Sequence, residues 1–260
     1  MISCAQAFKR LRIPMAIGLA LLTSPIAATA QWIRYPTPGI PRLADGKPNF
    51  SAPTPRTVDG KPDLSGLWGP DAKYFLDIAG GGVNVPIRPN GKALFDERQA
   101  NLGKDHPFAR CLPLGMPLMV TATMKIIQTP TVLIILYEAE STFRQIFLDG
   151  RKLPEDPQPT WRGYSVGHWD GDDLVIETAG LNAKPWLDQA GHPQSEALRI
   201  VERYTRRDFG HIAIQLTIDD SKYYARPWTV TQEHPLMADD ELLENVCLEN
   251  EKDVVHLIGK

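Results

Sequence analysis

From Leu118 onward the chain breaks into short β-branched or apolar runs separated by turn residues. That pattern predicts strands over 118–128, 131–138 and 142–148, divided at Pro130 and Ala139-Glu140, with Asp149-Gly150-Arg151 ending the third. A hairpin follows over 161–178, turning at Asp170-Gly171. A second has arms 197–205 and 211–218 around Asp208-Phe209-Gly210. Further strands are expected at 64–68, 83–87, 223–231 and 254–258. Only two stretches read as helices. In 92–102, Leu94, Phe95 and Ala100 alternate with charged residues, and 238–246 carries Asp239 and Asp240 in its first turn, which suits a helix dipole. Roughly eight to ten short strands with one or two short helices predict an all-β fold, an antiparallel β-barrel in preference to a sandwich.

The hairpin at 161–178 gathers the candidate chemistry. With Asp170-Gly171 as a two-residue loop, Trp169 faces Asp172, His168 faces Asp173, Val166 faces Val175 and Tyr164 faces Glu177. Tyr164, Val166, His168, Asp173, Val175 and Glu177 then share one face, and Ser165, Trp169, Leu174 and Ile176 the other. His168, Glu177 and Tyr164 are the catalytic candidates, because an imidazole beside a carboxylate can move protons near neutral pH. If their face lines a barrel lumen, they can act on an enclosed substrate; if it faces solvent, they form an ordinary polar strand surface. Gly163-Tyr164-Ser165-Val166-Gly167 has the spacing of a nucleophile elbow. That motif needs a strand–turn–helix setting, and here it lies inside a strand. Its glycines are better read as allowing curvature or close packing.

Composition adds a compartment. Lys9, Arg10 and Arg12 precede an apolar run, 13–22, and Ala28-Thr29-Ala30 offers a cleavage site, the layout of a secretory signal peptide. The expected organisation is a signal peptide over 1–30, an extended proline-rich arm over 31–63 and one barrel domain over 64–260, exported to the periplasm or secreted. Within the arm, Pro41-Arg42-Leu43-Ala44-Asp45-Gly46-Lys47-Pro48 recurs as Pro55-Arg56-Thr57-Val58-Asp59-Gly60-Lys61-Pro62. The arm reads equally as a solvated spacer or as a strap across the barrel. Beyond the leader remain Cys111 and Cys247, which in an exported protein predict one disulfide. The net charge of −3 includes the basic leader, so the rest is more acidic still, arguing against nucleic acid and anionic membranes as partners. No glycine-rich loop joins a strand to a helix, so no nucleotide cofactor is expected. His168, His192, His211 and His234 are scattered without metal-ligand spacing, so no metal is expected either.

Gly66-Leu67-Trp68 at the first strand is similar to the entry mark of lipocalin-like barrels, in which the tryptophan closes one end. More widely, the chain resembles a family of exported bacterial proteins. The shared blocks are Asp59-Gly60-Lys61-Pro62-Asp63-Leu64-Ser65-Gly66-Leu67-Trp68, Cys111 to Pro117, Arg144 to Arg151, the hairpin, Glu202-Arg203 and Cys247 to Asn250. The chain departs from that pattern at Asp170, usually Glu, and Asp173, usually Thr. The resemblance implies export and a lipocalin-like barrel. Arg144, Arg151, Glu202 and Arg203 read as a carboxylate clamp or as ion pairs bracing the hairpins. Trp161 and Trp169, like Trp68, Trp186 and Trp228, read as platforms for a sugar or polyphenol ring or as core. The expected function is binding of a small amphipathic, aromatic or glycosidic molecule, with a cofactor-free acid/base enzyme as the alternative. The oligomeric state is left open.

Overall fold

The computed structural model describes residues 35–71 and 73–249. The signal peptide, the start of the arm and the closing strand expected at 254–258 lie outside the described residues. Nine strands form one sheet in strict chain order. They are β1 (Gly66–Trp68), β2 (Met124–Gln128), β3 (Val132–Tyr137), β4 (Thr142–Phe147), β5 (Tyr164–Asp170), β6 (Asp173–Ala179), β7 (Arg199–Arg206), β8 (His211–Asp219) and β9 (Trp228–Pro235). Every neighbouring pair is antiparallel except β4 and β5, which meet in parallel at Phe147 and Val166. The sheet curls until its ends nearly meet. Trp68 bridges Leu236 just past β9, Gly69 N–H donates to the Pro235 carbonyl (3.0 Å), and Met237 N–H donates to the Leu67 carbonyl (2.8 Å). The fold is therefore an all-β, nearly closed barrel, as the strand pattern predicts.

Period-two burial explains why the sheet curls. Along β7, Ile200, Glu202, Tyr204 and Arg206 are buried, and along β9, Trp228, Val230, Gln232 and His234 are. With Ile212, Ile214, Leu216 and Ile218 of β8 and Leu174 and Ile176 of β6, they form one inner face whose apolar area is covered only when the sheet closes on itself. Helices α1 (Lys73–Leu76) and α2 (Pro89–Ala100) lie outside the sheet. No helix among the described residues is long and apolar enough to cross a membrane.

Two expected elements are absent from their places. Residues 83–87 contribute one bridge, Ile87 to Tyr224, instead of a strand. The 238–246 stretch is not helical, because Asp239 sits at φ 60° with its carboxylate accepting from Thr37 N–H (2.7 Å) and from both Arg42 terminal nitrogens (3.0 and 2.5 Å). Tertiary contacts take the aspartate that the helix dipole would have used.

The arm is a strap. Its two repeats adopt the same turn, with bridges Arg42 to Pro48 and Arg56 to Pro62. In each the arginine donates to a turn carbonyl, Gly46 or Gly60, and forks onto an aspartate elsewhere, Asp239 for Arg42 and Asp172 for Arg56. Between the repeats, the Phe50 and Ala52 carbonyls accept from Gly210 and Phe209 N–H (both 2.8 Å). Arg206 completes the attachment. It donates to the Asp63 carbonyl and lies over the buried Trp68 ring (4.9 Å), with its pKa pushed down to about 10 by burial. The Cys111–Cys247 disulfide is formed, with Cα atoms 5.6 Å apart.

Candidate functional site inside the barrel

The inner face carries polar groups among its aliphatic ones. Arg144 of β4 forks onto Glu202 of β7 (3.1 and 2.7 Å). Its remaining donors reach Ser165 Oγ of β5 (3.0 Å) and Thr178 Oγ1 of β6 (2.7 Å), and those two hydroxyls are 3.0 Å apart. All four residues are buried, Glu202 completely. Burial, the largest single influence, would depress the Arg144 pKa, but Glu202 together with Tyr137 and Tyr204 outweighs it and holds the guanidinium more firmly protonated than usual. The pair is thus internally neutralised.

Four further polar side chains lie on the same inner face. Tyr137, Tyr204, Gln232 and His234 are buried, and six of their polar atoms have no hydrogen-bond partner: both tyrosine hydroxyls, both amide atoms of Gln232 and both ring nitrogens of His234. Burial raises the pKa of both tyrosines, and the negative charge of Glu202 adds to the rise at Tyr204. Burial pushes His234 down to about 4, so its ring is neutral near pH 7. The inner face therefore offers neutral donors and acceptors besides a self-compensated ion pair, with Tyr137 and Tyr204 near that pair and Gln232 and His234 further along β9.

His234 also makes stability depend on pH. An unfolded chain protonates this imidazole near pH 6.5, while the buried ring stays neutral down to about 4. Between those values the unfolded state binds more protons, so stability complete above pH 6.5 drains away as pH falls toward 4, by about 3 kcal/mol in the limit. Urea midpoints measured from pH 7 to pH 4 should fall less steeply for His234→Phe than for the parent. Parallel curves for the two proteins would rule out a buried neutral His234.

The hairpin places the catalytic candidates elsewhere. Its loop is Gly171-Asp172, with Gly171 at φ 63°, so Asp170 opposes Asp173, His168 opposes Val175, Val166 opposes Glu177, and Tyr164 opposes Ala179. The expected pairing of His168 with Asp173 is therefore corrected. Shifting the turn by one residue moves each partner by two, so the expected grouping by face survives. That face is the outer one, because Leu174 and Ile176 take the core side. His168 and Glu177 are exposed and share no hydrogen bond, while Tyr164 stacks on Phe147 (5.4 Å) and accepts from Arg151 (3.0 Å). A lumenal His168–Glu177–Tyr164 triad is not formed.

Of the expected ligand-binding residues, Arg144 and Glu202 meet inside the barrel and the others do not join them. Arg203 faces outward and bridges Asp170 and Asp173 (both 2.8 Å). Arg151 is held on the surface by Asp149 and lies over Phe147 (3.8 Å). Trp161 is half-buried beside Lys184 (5.7 Å), and Trp169 is half-buried on the inner side of β5 with Lys61 5.8 Å from its ring. Ser165 of the elbow-like motif bonds Arg144 and Thr178, not a histidine. A Cβ at Gly163 would lie 2.7 Å from the Ala179 carbonyl, and one at Gly167 2.8 Å from Leu148, so both glycines serve close packing.

Tyr137, Tyr204 and Gln232 were not singled out by the sequence reading. Their signal is phase: Tyr204 and Gln232 fall in step with Ile200 and Val230, on positions where a polar residue must be buried. Nor was Asp188 singled out. It is fully buried, accepts from Ile78, Gly191 and His192 N–H, and lies 2.5 Å from His192 Nδ1. Asp77, Asp188 and His192 have ligand-type atoms within 4.8 Å of one another. Because the oxygens of Asp188 already serve three main-chain donors and the imidazole, the arrangement is a hydrogen-bonded pair. No family model matches the chain, and no curated protein or solved structure is significantly similar to it.

Proposed function

We propose that this protein is an exported, lipocalin-like barrel that holds a small, uncharged amphipathic molecule, aromatic or glycosidic, against the inner polar cluster. The observation carrying this reading is the set of six unpartnered polar atoms on Tyr137, Tyr204, Gln232 and His234. Each buried polar atom without a partner costs about 1–3 kcal/mol, so six together rival the whole stability of a domain unless something bonds them. A bound molecule with several hydroxyl or carbonyl groups supplies those bonds, and the surrounding Leu, Ile and Met side chains receive its apolar part. Neutral His234 and the compensated Arg144–Glu202 pair favour an uncharged ligand. The disulfide supports the exported setting.

The test pairs binding with stability. A neutral nitrophenyl glycoside and its free phenol, titrated by native mass spectrometry, should bind the parent. Replacing two hydrogen-bonding side chains with Gln232→Leu and His234→Phe should weaken binding by about tenfold or more. The same double variant should unfold at higher temperature than the ligand-free parent, because it removes unpartnered polar atoms. Undiminished affinity in the folded double variant would defeat this assignment of the site.

A further inference from the structure

At the barrel end opposite the strap, a second buried polar group has a geometry that ligand binding alone does not use. His192 and Asp188 belong to the loop between β6 and β7, and both are buried. The three main-chain N–H groups donated by Ile78, Gly191 and His192 hold the carboxylate in one orientation. That carboxylate lies 2.5 Å from His192 Nδ1, which fixes the ring's tautomer with the proton on Nδ1. Phe95 packs against the ring at 4.6 Å, and Trp228 flanks it at 6.2 Å. Among the described residues, no protein group hydrogen-bonds Nε2. The indole nitrogen of Trp228, on the inner face of β9, is likewise buried without a partner. A histidine oriented through Nδ1 by a rigid carboxylate, with Nε2 left free, is equipped to move protons.

We propose that His192 is a general base, and Asp188 its positioning residue, for proton-transfer chemistry on an uncharged organic molecule bound at this end of the barrel. Nε2 takes a proton from an acidified C–H or O–H of the ligand. Asp188 stabilises the imidazolium that forms, and the Trp228 N–H donates to the oxygen where negative charge develops. The products are those of an elimination or an isomerisation and require no oxidant or reductant. The inference rests on the ligand-binding reading above, but it assigns the chemistry to a different set of residues.

A nitrobenzisoxazole is a suitable probe, being neutral and aromatic and needing only a base. His192 Nε2 removes the ring C–H proton, that electron pair becomes the third bond of a nitrile, the N–O bond breaks to a phenolate, and water takes the proton back from the imidazolium. The full-length protein should turn the probe over faster than free imidazole at equal concentration. His192→Gln, whose amide can still bond Asp188, should lose about a hundredfold in kcat. Asp188→Asn should lower kcat while leaving KM unchanged, an outcome that a purely structural aspartate would not produce. If Gln at position 192 disturbs folding, turnover by His192→Gly restored on adding imidazole decides the point. Equal turnover by the parent and His192→Gln, or none by a parent that binds the probe, overturns the inference and leaves the ligand-binding reading intact. Failure of the parent to bind this probe overturns the inference alone, and failure to bind the nitrophenyl glycoside and its phenol as well overturns both.

Discussion

Glu202→Gln is expected to destabilise the protein by about 3–5 kcal/mol, the usual cost of stripping one partner from a buried ion pair. The reason lies in what remains. Arg144 would keep Ser165 and Thr178 as acceptors, but neither carries charge, and its side chain is only 3% exposed. Arg144 cannot escape by losing its proton, since arginine stays ionised under ordinary conditions. The informative contrast is a double replacement, Arg144→Met with Glu202→Leu, which removes both charges and leaves the Ser165–Thr178 hydroxyls bonded to each other. That variant should be within about 1–2 kcal/mol of the parent or more stable than it. Urea melts of the three proteins make the comparison. A single substitution no worse than the double would show that Arg144 reaches water or another counter-charge, and the closed interior described above would then be wrong.

The same pair shows what the sequence made legible. Alternation alone put Glu202 and Arg203 on opposite faces, and the structure agrees, but it could not say which face lay inside. That depended on Ile200 and Tyr204 being in phase with Glu202, and on closure of a sheet whose first and last strands are far apart in sequence. The hairpin turn was misplaced for a related reason. Centring it on Gly171-Asp172 sets Asp170 against Asp173, a like-charge pair that a reading of two strands avoids. The third strand supplies Arg203, which bridges both carboxylates and removes the objection. The aspartate that was expected to start a helix at 238 was likewise taken by Arg42, some two hundred positions earlier in the chain. Periods, turns and cysteines are local and could be read. Charge pairing across non-adjacent segments could not, and the candidate site consists of such pairings.

Removing the disulfide, with Cys111→Ala and Cys247→Ala together, should cost about 4–5 kcal/mol if the bond acts by restricting the unfolded chain, because it closes a loop of 136 residues. A local contribution adds to this. Among the described residues, 238–247 contain no helix or strand. They are held by the bonds of Asp239 to Thr37 and Arg42 and of Asn245 to Ser141, all exposed and individually weak. Without the covalent link, this segment should be the first to open. The strap should follow, because Asp239 is where its first repeat is fastened. Hydrogen exchange distinguishes the two contributions. The double-alanine variant should exchange faster throughout the sheet, by the factor corresponding to the global loss, and faster still at 36–48 and 238–247. Acceleration confined to 238–247, with the melting temperature unchanged, would mean that the bond only pins a tail. Acceleration reaching 36–48 ahead of β7 and β8 would instead identify the Arg42–Asp239 pair as the link through which the disulfide holds the strap to the barrel.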